Sequence, residues 1–88
     1  MQNVARVILY SKPGCHLCEE MKAEIGRAGC AGLYSLEEIN IESDVTLLER
    51  YRNDIPVLTI NGVEAFKHRL RAEEFKARLE SLAETDTV

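Results

Sequence analysis

Cys15-His16-Leu17-Cys18 is the segment whose residue types and spacing can do chemistry. Two cysteines separated by two residues fall almost one turn apart on one face of a helix, so their sulfurs can meet. The pair follows Val4-Ala5-Arg6-Val7-Ile8-Leu9-Tyr10, a short β-branched and apolar run, and then the structure breaker Ser11-Lys12-Pro13-Gly14. From Cys15 the pattern turns helical, with Leu17, Met21 and Ile25 on one stripe, Glu19, Glu20, Lys22 and Glu24 on other faces, and a stop at Gly29. Cys15 is thereby expected at a helix N-terminus, where unpaired amides and the helix dipole favour negative charge and should lower the thiol's pKa below that of a free cysteine. Cys15 is the expected nucleophile. It would attack a substrate disulfide to form a mixed disulfide, and Cys18 would attack the Cys15 sulfur to release the reduced product. His16 and Lys12 are candidates for tuning that thiolate, and Lys12 for gripping an anionic substrate; the competing reading of both is a solvated side chain.

The rival reading of the same pair is a metal or iron–sulfur module. A Cys-x-x-Cys supplies half of a tetrahedral site, and His68 and Cys30 would have to complete it. Cys30 follows Gly29 past the expected helix end and is better read as a small side chain packed beneath a loop. Arg69 and Arg71, ahead of the last helix, could meet an anionic part of a docked molecule or simply face water.

The elements that must position these residues follow from periodicity. Leu33 to Ile41 reads as a second strand, with Leu36, Ile39 and Ile41 as its apolar positions, and Glu42-Ser43-Asp44 offers caps for a short helix through Val45, Leu47, Leu48 and Tyr51. Ile55 to Ile60, Asn61-Gly62 and Val63 to Phe66 spell a β-hairpin with a type I′ turn. Ala72 to Ala83 returns to helical spacing through Phe75, Leu79 and Leu82. The order β-α-β-α-β-β-α predicts an α/β fold with a mixed four-stranded sheet and helices on both faces. Residues 1–84 form the expected domain, and 85–88 are expected to fray.

Composition narrows the function. With 88 residues there is room for one core, and 45% hydrophobic with 30% charged residues is ordinary for a chain that folds in water. Eleven Lys and Arg against fifteen Asp and Glu give a net charge of -4 with no basic face, which argues against nucleic acid as a partner. The opening stretch Met1 to Tyr10 carries Arg6 and no cleavage signature, so neither a signal peptide nor a membrane span is expected. Three cysteines are an odd number and too few for a disulfide-stapled scaffold. A cytoplasmic location, where a close pair serves redox chemistry, is the expectation.

Together, Ser11-Lys12-Pro13-Gly14-Cys15-His16-Leu17-Cys18 at a strand-to-helix junction and Ile55-Pro56-Val57 at the start of a hairpin resemble the glutaredoxin branch of the thioredoxin-like superfamily. The chain is similar, over nearly its whole length, to short bacterial glutaredoxin-like proteins. The resemblance implies Cys15 as nucleophile and Cys18 as resolving thiol. It implies Lys12 against the glycine carboxylate of glutathione, Pro56 in cis facing the disulfide, and the Ile55 backbone pairing with substrate as a strand. It also implies a thiol–disulfide oxidoreductase, a monomer serving electron transport and redox homeostasis, that acts on protein disulfides or glutathione mixed disulfides. No tightly bound cofactor or metal is implied; glutathione is one reductant and a protein reductase the other. Between the cysteines, the proline and aromatic residue usual in glutaredoxins are replaced by His16 and Leu17. The family's Gly-Gly pair and acidic helix start are replaced by Phe66-Lys67-His68-Arg69-Leu70-Arg71, so a remodelled glutathione pocket is expected.

Overall fold

The computed structural model describes residues 4–85, with side chains described through Leu82. The elements are β1 (Ala5–Ser11), α1 (His16–Arg27), β2 (Tyr34–Asn40), a 3-10 turn (Ile41–Ser43), α2 (Val45–Tyr51), β3 (Val57–Ile60), β4 (Val63–Lys67) and α3 (Ala72–Thr85). Of the tail expected to fray, Thr85 is the last residue of α3 and 86–88 lie outside the described residues.

The sheet runs β2-β1-β3-β4, with β1 parallel to β2 and antiparallel to β3, and β3 antiparallel to β4. This is the mixed four-stranded α/β fold of the thioredoxin-like class. Its two faces separate by strand periodicity. Ala5, Val7 and Leu9 of β1 join Leu58 and Ile60 of β3 against Met21 and Ile25 of α1 and Phe75 and Leu79 of α3. On the opposite face Val57 packs with Ile41 and Tyr51, flanked by Tyr10, Leu47 and Leu48. Tyr10 stacks on Tyr51 with ring centroids 4.7 Å apart, and burial pushes the Tyr51 phenol up from its ordinary pKa. Covered on both faces, β3 is buried at every position, the polar Thr59 included.

Two patterns differ from the sequence reading. β2 is an edge strand, so Leu36 stays 43% exposed, and Ile41 falls beyond the strand into the 3-10 turn, where it is fully buried. On α1 the inward stripe is Cys18, Met21 and Ile25; Leu17 sits to one side of it, half-buried rather than in the core. The hairpin turn is as expected, with Asn61 and Gly62 at φ +52° and +84°, the positive pair a type I′ turn requires. Asn61 also ties the turn to β1: its N–H donates to the Arg6 carbonyl at 2.8 Å and its Oδ1 accepts from the Arg6 N–H at 2.9 Å.

Strand directions bring the helix starts together. β1, β2 and β4 point the same way, so α1, the 3-10 turn leading to α2, and the segment leading to α3 all leave from one end of the sheet.

Candidate active site

The loop from β1 to α1 is built by Pro13-Gly14. The Cys15 N–H donates to the Lys12 carbonyl at 3.3 Å, and Gly14 takes φ +79°, the arrangement of a type II turn with proline and glycine in their favoured positions. The turn delivers Cys15 to the cap of α1: the Cys15 backbone is extended, and its carbonyl accepts the first helical bond, from the Glu19 N–H at 3.3 Å. A serine or aspartate would ordinarily offer an oxygen to the orphan amides here. Instead Cys15 Sγ accepts from the Cys18 N–H at 3.1 Å. The amide that would stabilise a capping oxygen therefore points at a sulfur, and it stabilises negative charge there when the thiol ionises.

Cys15 and Cys18 form a disulfide across a Cα separation of 5.2 Å. Their surroundings differ. Cys15 is half-buried and reachable from solvent, whereas Cys18 is 1% exposed on the inward stripe of α1. An attacking sulfur must meet its substrate, whereas a resolving sulfur needs only to meet its partner.

Lys12 is exposed and makes no ion pair among the described residues. It edges a hollow of about 170 Å³ with Ser11, Glu19 and Glu38. Ser11, the inward residue at the end of β1, is buried and donates to Glu38 Oε2 at 2.7 Å. Lys22 meets Glu19 at 3.0 Å and Glu38 at 3.3 Å, and hydrogen bonds to those two carboxylates, Glu19 first, raise its pKa. His16 is 86% exposed and pairs through Nε2 with Glu20 at 2.8 Å, so the ring anticipated as a tuner of Cys15 is held by a carboxylate in solvent.

The Ile55–Pro56 bond is cis, as the resemblance implies, and Pro56 is buried. Because Tyr10 registers with Val57, Pro56 lies at the end of the sheet from which the Cys15 loop departs. The Ile55 N–H already donates to the Tyr51 carbonyl at 3.1 Å. Strand-like pairing of substrate at Ile55 would thus rest on its carbonyl unless that bond opens. Cys30 is buried among the core residues beyond the far end of α1, with its thiol donating to the Ala28 carbonyl at 3.4 Å. No group of three or more His, Cys, Asp or Glu that could hold a metal gathers among the described residues, so the intrachain metal site considered for Cys15, Cys18, Cys30 and His68 lacks a ligand set.

The model of the family described as Glutaredoxin-like domain (DUF836) matches residues 6–80. The chain belongs to this glutaredoxin-like family. A curated glutaredoxin-like protein of Dictyostelium discoideum is 30% identical over 79 residues, spanning 83% of this chain and 73% of that one. The solution structure of protein Ne2328 from Nitrosomonas europaea superimposes with a TM-score of 0.73 at 29% identity, covering 89% of this chain and 94% of that one. The crystal structure of a chloroplastic thioredoxin z matches with the same TM-score of 0.73 at 13% identity, over 92% of this chain and 80% of that one, which is a likeness of fold. A glutaredoxin-like domain with a Cys15–Cys18 disulfide fits a redox role.

Two features of this glutaredoxin-like site escape sequence reasoning. His68 occupies φ +66°, a conformation glycine adopts without cost, and its N–H donates to the Pro56 carbonyl at 2.8 Å, tying the β4–α3 segment to the cis-proline. Glu24, one of the polar residues of α1, reaches across to the first amide of α3, with Oε1 accepting from the Ala72 N–H at 2.9 Å. No local pattern signals a contact across 48 positions. The one available hint was the absence of any side-chain acceptor at Arg71 where α3 begins.

Proposed function

We propose that this protein is a thiol–disulfide oxidoreductase that reduces protein disulfides or glutathione mixed disulfides, in the cytoplasm, with Cys15 attacking and Cys18 resolving. The observation that carries the reading is the Cys15 cap: a reachable sulfur that receives the Cys18 amide at 3.1 Å at the start of α1, with a buried second sulfur bonded to it. In the reduced protein the Cys15 thiolate attacks one sulfur of a substrate disulfide, forming a mixed disulfide and expelling the other sulfur as a thiolate that takes up a proton. Cys18 then gives up its proton and attacks Cys15 Sγ, forming the intramolecular disulfide and releasing the second substrate thiol. Two electrons and two protons pass to the substrate. Two thiols from glutathione, or a protein dithiol, restore the reduced pair, which makes the domain an electron carrier in redox homeostasis. Lys12 supplies positive charge beside the nucleophile, and Pro56 with the Ile55 carbonyl lines the approach of the substrate chain. No cofactor or metal takes part, and one chain suffices.

The test is reduction of a peptide disulfide by wild type and by single-cysteine variants. Cys15→Ser is expected to be inactive, whereas Cys18→Ser should stop at a mixed disulfide detectable by mass. Full activity in Cys15→Ser would overturn the proposal.

A further inference from the structure

A groove of about 500 Å³ lies between α1 and the start of α3, with Leu17, Glu20 and Glu24 on the α1 side and Arg69, Arg71 and Glu74 on the other. At α3 the helix needs an acceptor for its first amide. The residue in the cap position is Arg71, whose carbonyl accepts from the Phe75 N–H at 3.0 Å but whose side chain carries only donors. The acceptor comes from Glu24 of α1: Oε1 takes the Ala72 N–H at 2.9 Å, while Oε2 is held by Arg27 at 2.6 Å. The first turn of α3 adds Glu73 and Glu74, so its positive end is answered three times over from within the chain.

Resting on the oxidoreductase reading above, we infer that Glu24 is a specificity determinant: its carboxylate fills the first amide of α3 and turns carboxylate-bearing small thiols of the glutathione type away from the groove, leaving it to peptide disulfides. A small thiol ending in carboxylates would bind by placing one of them on a free helix amide. Here it would have to displace an internal carboxylate already bonded at both oxygens and then lie beside Glu20 and Glu74. Arg69 and Arg71 line the same groove and offset those two acids, which leaves the amide held by Glu24 as the deciding contact. A peptide segment flanking a disulfide brings neutral backbone and needs no such amide; half-buried Leu17, which precedes Cys18 in the chain and lines the groove, offers it an apolar contact.

The test uses the full chain and two mixed disulfides of one cysteine peptide, one with glutathione and one with glutathione diethyl ester, which masks the carboxylates. In wild type, kcat/KM is expected to be no higher for the acid than for the ester. Glu24→Ala should raise the acid-to-ester ratio by about tenfold, and Glu24→Gln, which keeps the shape and removes the charge, by about threefold, the scale of one charge-assisted hydrogen bond. The gain should appear in KM, with kcat unchanged. A second readout needs no turnover: S-methylglutathione titrated into labelled protein should shift the Ala72 amide resonance saturably in the Glu24 variants and not in wild type. An unchanged ratio in both variants, or a saturable Ala72 shift in wild type, would overturn the assignment. Loss of the redox reading itself would show separately, as full activity of Cys15→Ser, while the Ala72 titration still decides Glu24. Should Glu24→Ala fail to fold, Glu24→Gln carries both measurements.

Discussion

Two helices of this glutaredoxin-like domain begin at the same end of the sheet, and they begin differently. At α1 the capping acceptor is the Cys15 sulfur, bonded to the Cys18 amide. At α3 it is the Glu24 carboxylate, borrowed from α1. Both starts offer the same resource, orphan amides and a positive dipole end. In one the resource is given to a reactive atom; in the other it is consumed by a fixed charge. Each start stabilises negative charge, and side-chain chemistry decides what occupies it. A third start, α2, shows the ordinary solution, in which Asp44 Oδ1 accepts from the Thr46 N–H at 2.8 Å.

Substitutions can break this comparison in order of size. Replacing the sulfur at α1 should have the largest effect: Cys15→Ser is expected to reduce turnover of a disulfide substrate by at least about 10³-fold, since an alcohol at that cap stays protonated at neutral pH. Stopped assays with alkylation will measure it. Next in size, Phe75→Ala removes a fully buried ring from the core that α1 and α3 share, and should cost about 3–5 kcal/mol in denaturant unfolding, weakening both helix starts together. Removing a cap is smaller. Glu24→Ala and Asp44→Ala should each lose about 1 kcal/mol, read as a drop in Tm of about 4–8 °C, and only Glu24→Ala should alter which thiols the protein accepts.

The smallest effect sharpens the picture at the other side of the dithiol. Glu19 and Glu38 raise the pKa of Lys22, so the folded state holds its proton more tightly than the unfolded chain does. That contribution is complete below the unfolded lysine pKa of about 10.4 and fades as pH rises through the higher folded value. Because Lys22 is in contact with water, Lys22→Met should give a slight loss of Tm at neutral pH that disappears in alkaline buffer. The raised phenol of Tyr51 acts in the same window: above about pH 10 the unfolded chain releases its proton first, so wild type itself should lose stability there. Thermal melts from pH 7 to 11 test both.

The contrast between the helix starts also marks what the sequence made legible. Cys15 at the α1 junction, Asp44 ahead of α2 and the Asn61-Gly62 turn are local signals, each needing only neighbours in the chain, and each element lies where those signals put it. The α/β order followed from the switch between helical and alternating periods. Leu17 was misread as core because Cys18 took the inward position that its spacing suggested. The exposure of Leu36 was not legible because alternation cannot tell an edge strand from a central one. Glu24 was invisible because its partner is set by the packing of α1 against α3, and the exposed setting of His16 because a ring beside a nucleophile and a ring paired one turn onward have the same spacing.

The central claim is that the α1 start is a working dithiol. The most direct test equilibrates the protein in glutathione redox buffers, quenches with an alkylating agent and reads the masses. The account predicts a reversible Cys15–Cys18 couple with a midpoint of roughly -180 to -270 mV, and Cys30 alkylated only after unfolding. If the pair shows no reversible interconversion across the range while the fold stays intact, the sulfur at the α1 cap is not a redox centre and the account is contradicted.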